Sequence, residues 1–172
     1  MKVIEVDPDD LRVFIRDDYG RMVAALAVVC GSPSLAEEAV QEALARAVER
    51  TRRGERIADI RAWVAVVARN VTRSFFRRAA AERRARGRTA PVTESLEGTS
   101  DAERMDLLAA VRALRPTQKE AVALFYFADL SVEEVGRVMG LHQEAVKGLL
   151  YRGRASLARS LGLPAEQEEE SR

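Results

Sequence analysis

Arginines at helical spacing, with few acids to pair them, carry the clearest chemistry in this 172-residue chain. Arg69, Arg73 and Arg77 recur at i, i+4 and i+8, and Arg84 continues the row seven residues later. Guanidinium groups aligned in this way match the repeating charge of a phosphate backbone. The plain alternative is a solvated helix face, yet such faces normally interleave Glu with Arg, and this one does not. Trp63 lies at the edge of the row, placed either to fill a core or to stack on an unpaired base. The second chemistry is base reading. Ser131 to Met139, a turn at Gly140 and the segment from His142 to Arg154 read as a short helix, a tight turn and a longer basic helix. That is the sequence form of a helix-turn-helix, whose second helix enters the DNA major groove. An ordinary helical hairpin of a core has the same pattern.

Catalysis finds little footing. His142 is the only histidine, no Gly-rich phosphate loop occurs, and no acidic cluster has metal-ligand spacing. The chain therefore reads as a non-enzyme with no cofactor and no metal. Glu37-Glu38 and Glu133-Glu134 are explained as first-turn acids favoured by the helix macrodipole. The lone Cys30 excludes an internal disulfide and suits a reducing cytoplasm. No apolar run approaches the roughly 20 residues of a membrane span, and no secretory h-region follows Lys2.

Composition and charge say what must position these residues. The chain is 47% apolar and 32% charged, with only 5% aromatic residues, a helix-favouring mixture able to build a core. Net charge is +1, but its distribution is uneven. Residues 1–48 carry nine acids against five bases, whereas residues 50–88 carry thirteen arginines against three acids. Two different partner surfaces on one chain follow.

The pattern is all-α. A long amphipathic helix spans about Asp9 to Val29, interrupted near Gly20. Ser34 with Glu37 reads as a capping box opening a second helix, whose outer face holds Glu38, Gln41, Glu42 and Arg46. After a polar loop, Ile60, Trp63, Val64, Val67, Val71 and Phe75 line one side of a basic helix. Residues from Gly87 to Ser100 lack periodicity. Beyond them come a helix closed before Pro116, a helix from Gln118 to Phe127 opened by a Thr117–Glu120 capping box, and the helix-turn-helix, itself opened by Ser131 with Glu134. Val146, Leu149, Leu150, Gly153 and Leu157 give its second helix a buried side. Two small helical domains result, at residues 9–80 and 105–162, with a flexible linker at 81–104 and an acidic tail at 163–172. With little in the linker to pack, the two domains are expected to move independently.

Together these segments resemble a bacterial sigma-70 family factor of the extracytoplasmic-function type. Ala36-Glu37-Glu38-Ala39-Val40-Gln41-Glu42 is similar to the A-E-D-L-V-Q-E signature of region 2. Trp63 to Asn70, followed by Phe75-Phe76-Arg77-Arg78, is similar to its W-L-x-x-I-A-R-N … R-R segment. Leu114-Arg115-Pro116 through Glu120 resembles the opening of region 4, and Leu130-Ser131-Val132-Glu133-Glu134-Val135 matches the L-S-x-E-E that follows. Four weak motifs stand in the right order with the right gap.

The resemblance implies a subunit that joins core RNA polymerase, through the clamp helices of the largest subunit and the flap region, and directs promoter recognition and melting in the cytoplasm. It assigns Glu38, Gln41, Glu42 and Arg46 to polymerase binding. It assigns Arg56, Arg61, Trp63, Arg69, Asn70, Arg73 and Arg77 to the −10 DNA. It assigns His142, Gln143, Glu144, Lys147, Tyr151, Arg152 and Arg154 to the −35 DNA. The family commonly adds an anti-sigma factor as a further partner.

The recognition helix departs from the family pattern. Gly148 and Leu149 stand where Ser and Arg are usual, and Glu144 would face phosphates. Weak or unusual −35 reading is expected. Two other functions fit parts of the chain: a stand-alone helix-turn-helix regulator, or an interaction protein that binds polymerase or an inhibitor and has lost promoter reading.

Overall fold

In the computed structural model of the chain, residues 8–55, 57–86 and 102–164 are described, and every regular element among them is helical. The first half holds α1 (Pro8–Asp17), α2 (Tyr19–Cys30), α3 (Pro33–Arg52) and α4 (Ile60–Arg86). The second holds α5 (Ala102–Ala113), α6 (Pro116–Val122), a π-helical turn (Ala123–Phe127), α7 (Val132–Met139) and α8 (Gln143–Ser160). The first expected helix breaks at Asp18, between α1 and α2, and α2 ends at Gly31, whose φ of 74° is the left-handed cap that Gly adopts without strain. Just before the break, Arg16 grips Asp17 with two hydrogen bonds of 2.7 Å. The hydrogen bond from Arg16 holds the Asp17 carboxyl below its usual range.

Local chemistry explains each boundary near the candidate sites. Helix α3 starts at Ser32, whose Oγ accepts from the Leu35 amide at 3.2 Å, with Pro33 in the first turn. The expected cap at Ser34 is therefore displaced by two residues, because Pro33 has no amide to leave unsatisfied and suits the first helical position. Glu37 is freed from capping and instead accepts from Tyr19 Oη and Gln41 Nε2, both at 3.4 Å. The Thr117–Glu120 box is also absent. Arg115 occupies the cap position, Pro116 fills the first turn, and no side chain caps α6. The Ser131–Glu134 box is present in full, with Ser131 Oγ accepting from Glu134 N at 3.2 Å and Glu134 Oε2 from Ser131 N at 2.6 Å.

The two halves share one apolar core. Phe14, Met22, Leu26, Val40 and Val64 from the first join Val111, Leu124, Val135 and Val146 from the second, all nearly solvent-free. Helix α2 packs on the π-helical turn, and α4 packs on α7. This overturns the expectation of independent motion. The reason lies in α4, whose buried residues Ala62, Val64, Ala65 and Ala68 spread wider than the single expected stripe, so the helix faces α3 on one side and α7 on the other. Phe75, expected in that stripe, is 47% exposed. Helix α4 also runs on through Ala81–Arg86, so the stretch from Ala79, whose sequence allows either linker or a longer basic helix, is helical as far as Arg86.

Small residues let the second half close tightly. A Cβ at Gly153 would lie 2.8 Å from Val122 Cγ2, and one at Gly136 would lie 2.7 Å from the Leu141 carbonyl oxygen. Gly in a helix interior costs about 1 kcal/mol against Ala, and at Gly153 that cost is the condition for α8 to sit against α6. Gly148 differs: a Cβ there would meet only the flexible end of Arg152, at 3.2 Å.

Candidate polymerase and nucleic-acid interfaces

Helix α3 buries Leu35, Ala36, Ala39, Val40, Ala43 and Ala47, which leaves Glu38, Gln41 and Glu42 on its solvent side. Glu42 pairs with Arg46 across one turn at 2.8 Å, a pair that screening keeps weak. Gln41 donates to Tyr19 Oη at 3.4 Å as well as to Glu37. Glu38, Gln41 and Glu42 are exposed, and no described element of the second half covers them.

Arg46 has a second neighbourhood. It lines a cleft of about 600 Å³ between α3 and α4 with Glu49, Arg50, Arg53, Trp63 and Val67. Arg50 stacks its guanidinium 5.7 Å from the Trp63 ring centre and pairs with Glu55 at 3.2 Å. Trp63 is half-buried, so its indole serves the core and forms a wall of the cleft. The polymerase candidate Arg46 and the −10 candidate Trp63 therefore meet at one feature. Arg50 joins this cleft without a sequence motif to announce it, although Arg46, Arg50 and Arg53 recur at i, i+4 and i+7. Arg56 lies outside the described residues.

Helix α4 opens under Asp59, whose Oδ1 accepts from the Ala62 amide at 3.0 Å. The structure divides its arginine row in two. Asn70, Arg73 and Arg77 are exposed, and neither arginine has an acidic partner among the described residues. Arg61 and Arg69 are turned toward the second half. Arg69 forks onto Glu120, its Nε on Oε1 and its Nη2 on Oε2 at 3.2 Å, with side chains only 12% and 10% exposed. Arg61 Nη2 donates to the carbonyl oxygens of Ala128 and Asp129, at 3.1 and 2.5 Å. A cation there meets the carbonyl end of the preceding helical turns. Arg61 Nε lies 3.4 Å from Asp18 Oδ1, near enough for charge attraction and without hydrogen-bond geometry.

In the helix-turn-helix, Gly140 takes a left-handed φ of 71° and closes α7. Val146, Leu150 and Gly153 seat α8, while His142, Gln143, Glu144, Lys147 and Tyr151 stay exposed along its first turns, as do Arg152 and Arg154. His142 occupies the cap position without capping through its side chain. Glu144 is held by Lys147 at 2.7 Å, which answers the charge problem the sequence raises. Arg154 Nη1 donates to Tyr126 Oη at 3.4 Å. Leu149 is half-buried, so this position turns from solvent where the family pattern has Arg. Across the molecule, the candidates form three patches: the α3 face, the α4 row and the start of α8.

This architecture of two helical bundles, the second ending in a helix-turn-helix, has known counterparts. The Sigma-70 region 2 family model matches residues 15–82, and the Sigma-70, region 4 model matches residues 104–157. The chain belongs to the sigma-70 family. It is 33% identical over 147 residues to the ECF RNA polymerase sigma factor BldN of Streptomyces coelicolor, covering 76% of this chain. The chain spans about half, 52%, of that curated relative's length. The fold matches the sigma factor RpoE in its co-crystal structure with the anti-sigma factor NepR from Bartonella quintana, with a TM-score of 0.71 at 21% identity. That match covers 91% of this chain and 98% of the other.

Proposed function

We propose that the chain is a promoter-specificity subunit that joins core RNA polymerase in the cytoplasm and directs transcription initiation. The observation that carries this reading is the segregation of charge on two adjacent helices. The open face of α3 presents Glu38, Gln41 and Glu42, while α4 presents Asn70, Arg73 and Arg77. The first face suits docking on a protein surface, and the second suits a nucleic-acid backbone. Arg61, Trp63 and Arg69, with Arg56, would complete the contact with the −10 strand. Trp63 and Arg50 form an aromatic, cationic cleft of the kind an unpaired base stacks in. No covalent chemistry is needed, because melting draws on binding energy.

His142, Gln143, Glu144 and Lys147 are the side chains offered to base edges, with Tyr151, Arg152 and Arg154 for phosphates. The Glu144–Lys147 pair and the bare Gly148 make this patch poorer in free cations than α4. Promoter choice therefore leans on the −10 contact. Run-off transcription with purified core polymerase, with and without the chain, tests the function. Promoter-specific transcripts that depend on the chain are expected, and their absence across a promoter library would overturn it. DNA binding without core would instead indicate a stand-alone regulator. Core binding without transcripts would indicate an interaction protein that has lost promoter reading.

A further inference from the structure

Past its base-reading turns, α8 meets α5 and α6 around a cleft of about 370 Å³. Arg115, Arg152 and Arg159 line it, and no acid is among its lining residues. Arg115 and Arg152 have no acidic partner among the described residues. Arg159 reaches only the Ala155 carbonyl and Ser156 Oγ, both at 3.3 Å. We propose that this cleft binds a phosphorylated small molecule of the nucleoside diphosphate class. The arginines hold its phosphates, and the apolar wall receives its ring.

Helical spacing builds the cationic side. Gly148, Arg152, Ala155 and Arg159 recur at i, i+4, i+7 and i+11, so they share one face of α8. The bare Gly148 gives the Arg152 guanidinium room to lie back along the helix, with Nη1 3.2 Å from where a Cβ would stand. Arg115, in the cap position of α6, adds a third guanidinium. Like charges gathered without acids repel one another. An oligophosphate relieves that repulsion and offers paired acceptor oxygens to each guanidinium fork.

Gln118 is the second polar element. The residue is only 8% exposed, and its carboxamide has no hydrogen-bond partner among the described residues. A buried amide left unpaired is costly, so a ligand that supplies the partner gains by it. The carboxamide carries both donors and an acceptor, the groups that pair with the edge of a base. Ala110, Leu114, Ala155 and the Tyr151 ring form the apolar wall. The cleft falls in the range of roughly 300–1,000 Å³ typical of small-molecule sites. Arg152 is shared with the proposed −35 contact. The other residues of the cleft have no part in that contact, so the site stands whether or not that reading does.

The full chain is titrated with ADP and, separately, with inorganic pyrophosphate by isothermal titration calorimetry at fixed low salt, with folding followed by circular dichroism. Saturable ADP binding is expected, about tenfold tighter than that of pyrophosphate, which lacks the ring. Arg115→Ala and Arg159→Ala should each weaken ADP about tenfold, the loss of one charge-assisted contact. Arg112→Ala removes an equal charge from α5 outside the cleft and should stay within about twofold. No ADP binding overturns the proposal, as does an equal loss in Arg112→Ala or equal affinity for pyrophosphate. Anisotropy with a labelled mixed-sequence duplex of about 20 base pairs separates the two sources of phosphate. The two cleft variants should leave duplex affinity within about twofold. A loss there without ADP binding assigns the arginines to the DNA backbone and sinks the small-molecule site. Neither readout uses polymerase, so failure of the promoter function and failure of this site are told apart.

Discussion

Arg69 and Glu120, 51 residues apart, form a forked ion pair buried between α4 and α6. Each charge has lost most of its water, so the pair is stable only because each neutralises the other. Removing one partner leaves an uncompensated buried charge. Arg69→Met or Glu120→Leu alone should lower unfolding free energy by about 3 kcal/mol. The double variant should recover most of that loss, since an apolar pair of similar volume replaces the ions. Denaturant unfolding of the four chains gives the coupling directly, and additive losses would contradict the pairing.

The glycines of the second half separate by what surrounds them. Gly153→Ala gains helix propensity but puts a methyl 2.8 Å from Val122 Cγ2, between two packed helices. Overpacking costs about 1–3 kcal/mol, so net destabilisation is expected. Gly148→Ala meets only the mobile guanidinium of Arg152 and should stabilise by up to about 1 kcal/mol. Thermal unfolding of the two variants should therefore move in opposite directions.

Caps provide a parallel contrast. Ser131 caps α7 and Ser32 caps α3, so replacing either with Ala should cost about 1 kcal/mol. Ser34 and Thr117 have the same sequence signature three residues before a Glu, yet neither caps its helix. Thr117→Ala should leave the melting temperature nearly unchanged. A drop at Thr117 equal to that at Ser131 would show that α6 starts one turn differently.

These cases show what was legible in the sequence. Ser131, Glu134 and Gly140 act within one helix turn, so their pattern sufficed to place the helix-turn-helix. Apolar spacing likewise located every helix to within a few residues. Ser34 and Thr117 do not cap because a proline beside each shifts the first turn, a local steric effect that outweighs the S/T-x-x-E signature. The closure of the two halves was not legible at all. Arg69 and Glu120 each belong to a convincing local pattern, a phosphate-binding row and a capping box, and nothing short-range links them. Nor does helical spacing reveal that α4 has partners on two sides. In the candidate sites, residue types and helix faces were readable, whereas the meeting of Arg46, Arg50 and Trp63 in one cleft depends on how α3 crosses α4.

Helix α4 finally allows a prediction that separates charge from structure. Arg73 and Arg77 are exposed and have no acidic partner among the described residues, so replacing them costs the fold little. Arg73→Ala and Arg77→Ala should shift unfolding free energy by no more than about 0.5 kcal/mol. If each guanidinium neutralises one phosphate, each variant should also reduce the salt dependence of single-strand binding, the slope of log K against log salt falling by about 0.7. The loss should be uniform across sequences, because phosphate contacts position a strand without reading it. Glu38→Ala and Glu42→Ala, on the opposite face, should leave that slope unchanged and weaken association with core polymerase. Anisotropy titrations over a salt series and co-sedimentation with core test the two faces independently. An unchanged slope in the Arg73→Ala, Arg77→Ala double variant would remove α4 from the DNA contact.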